Sequence, residues 1–340
     1  MSGAPAGEEH GSMNKRYYCD ENIPGSTMRE LTQRPVTCRD EYLSTLEACY
    51  NLKAIRPFPL KIMVESSSRC MLQCAMCPRD RMTRPQGDMP FELFQKVIDE
   101  AAPRGLYHLS MHQHGEPLMN ERLPEMVQAA KARGVPVVNL TTNGILLDET
   151  ASRALIEAGL DTLVVSFDGI TRDAYTRLRG VEKYHDRVRD NILRFVRLRA
   201  ASVVLKPFFR IHALRTAEVT DAQVEAFRAE WARVVDDVGI GEIASYGSGN
   251  ELFDPGRGAS VPRVPCRHLW QQLVVLRTGD VVPCCVDIDA RVTVGNVCEG
   301  SLASIWTGER LNHYRAMHLA GRANELPGCA DCIDVFCRAY

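Results

Sequence analysis

Three cysteines, Cys70, Cys74 and Cys77, stand in a C-x3-C-x2-C arrangement, and Cys266, Cys284, Cys285, Cys298, Cys329, Cys332 and Cys337 crowd the last 75 residues. Nearly 190 residues between the two groups contain no cysteine. Thiolates gathered in this way are ligands for soft metals rather than disulfide partners. The full count of 13 is odd, the chain has 340 residues, and the opening MSGAPAGEEHGSMNKRYY is polar, without the apolar stretch of a signal peptide. Disulfide frameworks suit short secreted chains with paired cysteines, so the expected compartment is a reducing cytoplasm. Cys19, Cys38 and Cys49 show no repeated spacing and read as ordinary core or surface residues.

Each group suggests its own metal chemistry. A structural zinc site wants four ligands, and a catalytic one more often takes histidine or carboxylate. Three close thiolates instead suit an iron–sulfur cube in which one iron keeps no protein ligand and stays open to a small chelating molecule. In the second group, Cys266 and Cys284 are related by C-x12-G-x4-C through Gly279, and Cys329 and Cys332 form C-x2-C. On spacing alone, that set fits either a four-cysteine zinc knuckle or a fully ligated iron–sulfur cluster.

Positioning these ligands requires a scaffold, and the chain between residue 61 and about 246 supplies its pattern. Short β-branched runs alternate with amphipathic stretches: KIMVE, the helix from Phe91 to Ala102, LYHLSMHQ, a helix ending at Gly134, VPVVNL, a helix after Asp148, DTLVVSF, a helical stretch from Tyr184 to Arg199, VVLKPFFRIHAL, a helix from Asp221 to Val235, and IGEIASY. Six β/α units imply an α/β fold with a parallel sheet, right-handed crossovers and functional loops at the carboxyl ends of the strands. Four polar motifs then fall on one rim together with the Cys70 loop: His114-Gly115-Glu116-Pro117, Thr141-Thr142-Asn143-Gly144, Ser166-Phe167-Asp168-Gly169, and the pair Arg210 and His212.

The expected organisation is an N-terminal extension over 1–60, partly helical between Arg29 and Leu52; a barrel over 61–248; a linker or lid over 249–265; and a cysteine-rich module over 266–340. In that module QQLVVLRTGDVVPCC reads as a hairpin turning at Thr278-Gly279-Asp280, and one amphipathic helix is expected from Ser301 to Gly321. Hydrophobic residues at 45%, charged residues at 25% and a net charge of −2 describe a globular chain with no bulk field for nucleic acid. There is no apolar run of about 18 residues, the length a membrane span needs.

The order of C-x3-C-x2-C after the first strand and Gly-Glu-Pro after the second resembles the radical S-adenosylmethionine (radical SAM) superfamily, over residues 61 to about 246. The resemblance implies a partial (β/α)6 TIM-like barrel and a [4Fe–4S] cluster on Cys70, Cys74 and Cys77 whose open iron is chelated by SAM. It further implies that Glu116 accepts from the SAM amino group, Gly115 permits close backbone approach, Ser166 and Asp168 meet the ribose, and Asn143 lines the pocket. Met76 takes the place of a residue that is often aromatic in the family and lies against the adenine, and Arg210 is a candidate for the SAM carboxylate. One electron, from a flavodoxin- or ferredoxin-type reductant, then yields methionine and a 5′-deoxyadenosyl radical.

Beside such a barrel, Cys266, Cys284, Cys329 and Cys332 look like a twitch domain, the short form of the SPASM module, with one auxiliary [4Fe–4S] cluster. Their spacing is similar to that of aminocyclitol- and sugar-oxidising radical SAM dehydrogenases of antibiotic biosynthesis. The implied reaction is dehydrogenation of a secondary alcohol on a polar sugar, aminocyclitol or nucleoside intermediate. The alternatives are radical epimerisation, with Cys285 as the hydrogen-atom donor ahead of Cys298 and Cys337, maturation of a ribosomal peptide or sulfatase, and a metal-binding scaffold without SAM chemistry.

Overall fold

The computed structural model describes residues 39–202, 206–241, 263–330 and 332. Contacts divide the chain into two units, Met1–Arg56 and Pro57–Tyr340. Within the first, helix α1 (Arg39–Asn51) buries Tyr42, Ala48, Cys49 and Tyr50. Burial lifts the Cys49 thiol to about 11. Cys19 and Cys38 lie outside the described residues.

The second unit is organised by six parallel strands: β1 (Lys61–Val64), β2 (His108–Ser110), β3 (Val137–Thr142), β4 (Thr162–Ser166), β5 (Phe208–Leu214) and β6 (Asp237–Gly241). Between them run α2 (Phe91–Ala101), α3 (Leu123–Ala132), α4 (Glu149–Glu157), α5 (Arg172–Arg179), α6 (His185–Ala200) and α7 (Asp221–Trp231). The strands alternate because one face must leave water. Ile62, Leu109, Val138, Leu140, Leu163, Val165, Phe209 and Ile211 are fully buried, and each such side chain stabilises the fold by roughly 1.5–3 kcal/mol. This apolar face meets the helices, as in the Phe195–Phe209 ring pair at 4.8 Å. The other face carries Lys61, His108, Asn139, Thr141, Ser166, Arg210 and His212 and lines the concave interior of the partial barrel.

The cysteine-rich module joins this sheet directly. Strand β7 (Gln272–Val275), preceded by the short helix α8 (His268–Gln271), pairs in parallel with β1 from Lys61↔Gln272 to Val64↔Val275. Strands β8 (Asp280–Val282) and β9 (Gly295–Asn296) extend it antiparallel, giving the order β6-β5-β4-β3-β2-β1-β7-β8-β9. Gly279 sits at φ +89°, as the expected hairpin turn requires.

Some elements differ from the expected ones. The helix from Ser301 to Gly321 is two helices, α9 (Leu302–Thr307) and α10 (Glu309–Leu319), broken at Gly308, where a Cβ would lie 2.7 Å from the Ser304 carbonyl oxygen. The break lets the buried Arg315 fold back over the first segment. Its Nη1 donates to the Trp306 carbonyl at 2.8 Å, its Nε donates to the Leu269 carbonyl at 2.8 Å, and the guanidinium lies 4.4 Å from the Trp306 ring centre. Helix α5, capped by Thr171 and ended by Gly180 in the left-handed region, was not expected. Helix α7 stops at Trp231, four residues before Val235, and β2 is confined to His108–Ser110.

Candidate functional site

The Cys70–Cys77 loop leaves the carboxyl end of β1 through Glu65, Ser66, Ser67 and Ser68, all buried. A tight turn, with Cys77 N–H donating to the Cys74 carbonyl at 2.9 Å, brings the second and third ligands together. The end of α5 holds the loop from the side, since Ala75 N–H donates to the Leu178 carbonyl at 2.9 Å. Donors approach all three sulfurs: Leu72 N–H to Cys70 Sγ at 3.5 Å, Asn143 Nδ2 to Cys70 Sγ at 3.8 Å, Arg179 Nη1 to Cys74 Sγ at 3.6 Å, and Arg79 N–H to the Cys77 sulfur. Burial raises the Cys70 thiol and lifts the Cys77 thiol to about 11, and the neighbouring thiolates add to both shifts. Three clustered soft donors with polar hydrogens aimed at their sulfur are a fitting environment for a cube.

Glu116 closes the opposite side. Gly115 is required here because any Cβ would collide with the Ser67 carbonyl and come within 2.9 Å of Ser68 Cα. Glu116 N–H donates to the Arg69 carbonyl at 2.7 Å, binding this loop to the cysteine loop. Its side chain, 1% exposed, accepts from Thr142 Oγ1 at 2.6 Å, Asn143 N–H at 2.8 Å and Leu118 N–H at 3.1 Å. Burial pushes its carboxyl above the usual range, against those three donors. A carboxylate has about four acceptor sites, so one remains for a cation.

Around this core the other expected residues take distinct places. Asn143 bridges Glu116 and the Cys70 sulfur, and its Nδ2 also lies 3.3 Å from Met71 Sδ. Met76 is buried beside Cys77, and Ser166 is half-buried at the end of β4. Asp168 is 1% exposed, with Oδ1 accepting from Leu214 N–H at 2.8 Å and Oδ2 paired to Arg179 at 2.6 Å, so its carboxylate is already engaged. Arg210 pairs through Nε with Asp237 at 3.1 Å and lies flat against Gly239, while His212 lies over Gly241; any Cβ on either glycine would collide with these side chains. The two glycines of β6 thus make room for the polar side chains of β5.

Sequence reasoning missed Arg179, which is buried and joins three parts of the rim. Besides Cys74 and Asp168 it donates from Nη2 to the Ser166 carbonyl at 2.6 Å. Nothing in RLRG distinguishes it from a surface arginine; only the position of α5 does.

In the second group, Cys266 and Cys284 are raised well above the ordinary thiol value. For Cys266 burial is the main cause and Cys284, Cys332 and Cys329 add to it; for Cys284 the hydrogen bond with Cys285 leads. Burial and the same neighbours push Cys329 up to about 12. These four thiols therefore share one locus. Among the described residues, no three His, Cys, Asp or Glu side chains close to the distances of a single metal ion. Cys298 is exposed, and Cys337 lies outside the described residues.

Cys285 stands between this locus and the barrel interior. It is half-buried against Met63, Val274, Leu276 and Val282, its Sγ lies 3.9 Å from His268 Nδ1, and its carbonyl accepts from Gln113 Nε2 at 2.9 Å and His114 Nε2 at 2.7 Å. The following residues latch onto the cysteine loop: Thr83 N–H donates to Asp289 Oδ1 at 2.7 Å and Arg84 Nε to the Ile288 carbonyl at 2.5 Å. Arg84 also grips the fully buried Glu65 through Nη1 at 2.7 Å.

Comparison with known proteins agrees with this geometry. Residues 64–205 match the radical SAM superfamily, and residues 266–333 match the SPASM iron–sulfur cluster-binding domain, together more than half of the chain. The chain is 26% identical over 318 residues to a tungsten-containing aldehyde ferredoxin oxidoreductase cofactor-modifying protein of Pyrococcus furiosus, covering 80% of this chain and 86% of that protein. Among solved structures, BtrN in complex with AdoMet and 2-DOIA superposes with a TM-score of 0.57 at 20% identity, over 82% of this chain and 94% of that one. Streptococcus suis SuiB bound to precursor peptide SuiA superposes with a TM-score of 0.63 at 17% identity, over 93% and 77%. The chain belongs to the radical SAM superfamily and carries a SPASM-type domain, with SAM, a SAM-binding [4Fe–4S] cluster and auxiliary iron–sulfur as its cofactors.

Proposed function

We propose that the protein dehydrogenates a secondary alcohol on a polar small molecule bound in the barrel interior, in the cytoplasm, with a flavodoxin- or ferredoxin-type protein as electron donor. The observation that carries this reading is the place of Cys284 and Cys285. The auxiliary locus meets the inner wall of the barrel through these adjacent residues, and Gln113 and His114 of the Glu116 loop hold the Cys285 carbonyl. When bound, SAM and the clusters supply a carbon-centred radical initiator at one end and an electron acceptor at the other.

The protein's own residues hold and shield. Cys70, Cys74 and Cys77 carry the first cluster, and Cys266, Cys284, Cys329 and Cys332 the auxiliary one. Glu116 takes the SAM amino group at its remaining acceptor site, with Asn143, Ser166 and Met76 around the rest of the molecule. Asp168 acts through Arg179, by fixing the rim that faces the ribose. Removing one hydrogen atom from the carbinol carbon, the hydroxyl proton and one electron leaves a ketone, so the net change is a two-electron oxidation.

The second reading, epimerisation, rests on the Cys285 sulfur at the wall, where a thiol could return a hydrogen atom. Anaerobic reconstitution with iron and sulfide, reduction, and incubation with SAM and candidate alcohols in deuterated water decides between them. A ketone formed with 5′-deoxyadenosine supports dehydrogenation. Substrate recovered with deuterium at one carbon, and no ketone, would falsify it in favour of epimerisation.

A further inference from the structure

Charge inside the barrel is distributed unevenly. Among the described residues, the carboxylates near the interior are already engaged: Glu65 by Arg84 and by Arg277 N–H at 3.2 Å, Asp168 by Arg179, Asp237 by Arg210, and Glu116 by three donors. The half-buried ammonium of Lys61 has neither a hydrogen bond nor a carboxylate among the described residues. Lys61 stands in register with Gln272 on one side and His108 on the other, so the three form one row across β7, β1 and β2. Among the described residues, Gln272, 2% exposed, has no acceptor for its Nε2, and the Nδ1 of His112, four residues beyond His108, is likewise buried without a partner.

We infer that this row is an anion subsite, and that the substrate carries a phosphate or carboxylate that Lys61 and Gln272 bind in the interior. A cation removed from water without a counter-charge is costly, and buried polar nitrogens without acceptors add to that cost. A bound oxyanion satisfies both, because its oxygens accept from the ammonium and the amide together. By the same inventory an aminated sugar is disfavoured, since among the described residues no interior carboxylate is left to receive its ammonium except the site on Glu116. The inference narrows the substrate class within the proposed function and rests on that reading of the interior as the substrate site.

The test uses the full chain, reconstituted and loaded with SAM but left unreduced, in titration calorimetry with glucose 6-phosphate, glucuronate, glucose and glucosamine. The two anionic sugars should bind at least tenfold more tightly than glucose, with glucosamine weakest; the tighter of the two identifies phosphate or carboxylate. Lys61→Met should remove the preference while SAM binding stays unchanged, and Lys61→Arg should keep most of it. Equal or tighter binding of glucosamine, failure of both anionic sugars to bind, or an undiminished preference in Lys61→Met overturns the inference. Because no turnover is involved, a product showing epimerisation would end the dehydrogenase reading and leave this result standing.

Discussion

The guanidinium of Arg179 donates to the sulfur of Cys74 across 3.6 Å while its other nitrogen pairs with Asp168 at 2.6 Å. One buried cation thus ties a cysteine of the Cys70–Cys77 loop to the loop that follows β4. Positive charge and a hydrogen bond at a cluster sulfur both favour the reduced state. Arg179→Met should move the potential of the SAM-binding cluster to a more negative value, read by EPR-monitored titration, with Arg179→Lys recovering part of the shift. The variant also strands Asp168 as an unpaired buried charge, a loss of about 3–5 kcal/mol. Arg179→Met combined with Asp168→Asn should regain stability in chemical denaturation without regaining the potential.

Glu116 is the residue on which SAM affinity is expected to depend most. Glu116→Gln keeps the shape but puts an amide where Thr142 and Asn143 donate and where the SAM ammonium would sit. Losing a charge-assisted bond at a buried site is worth about 1.5–3 kcal/mol, or roughly 10- to 100-fold in the SAM dissociation constant. Equilibrium dialysis of the reconstituted variant measures it, and affinity within twofold of the parent would remove Glu116 from the SAM site.

Iron content separates the cysteines by role. The parent chain should take up roughly eight irons for two cubes. Alanine at Cys266, Cys284, Cys329 and Cys332 together should leave about four and preserve SAM cleavage in stoichiometric amount. Cys298→Ala should change neither, because that thiol is exposed; a loss of iron there would show that it is a ligand.

Acid should weaken the apoprotein through His114. Burial holds this imidazole at about 4, against the Cys285 carbonyl that favours its charged form. Below the ordinary histidine range the unfolded chain therefore binds a proton that the folded chain does not, and stability falls as pH drops from about 6.5 towards 4. His114→Gln keeps a donor for Cys285 and removes the titration. Between pH 7 and pH 5 its urea stability should decline by on the order of 1–2 kcal/mol less than that of the parent.

A backbone contact sets a further constraint. Gly115→Ala places a methyl into the Ser67 carbonyl, so the loop must shift, costing several kcal/mol and the cluster with it. Gly105→Ala, where φ is +85° but nothing lies within 4 Å, should cost only about 1 kcal/mol. Thermal denaturation and iron content of the two variants make the comparison.

The chemistry was legible where it depended on short spacing. Cys70, Cys74 and Cys77 lie within eight residues, and the strand alternation that places Glu116 and Asn143 on one rim is a local pattern. What could not be read were relationships across the chain. Arg179 acquires meaning only because α5 docks on the cysteine loop, and β7 could be recognised as half of a hairpin without revealing that its other edge pairs with β1. The partners of Asp168, Arg179 and Leu214 N–H, lie 11 and 46 residues away. Gly308 sits inside a helical pattern, and the reason for the break, Arg315 returning to Trp306, arises later in the chain.

The pairing of β1 with β7 has a consequence for biosynthesis. Strand β1 leaves the ribosome before β7, its neighbour on one edge, which follows more than two hundred residues later. At roughly 5–20 residues per second, that edge stays unprotected for on the order of 10–40 s. Throughout that interval Cys70, Cys74 and Cys77 hang from a strand whose sheet is incomplete. Iron delivered before β7 has been made would meet a half-built receptacle.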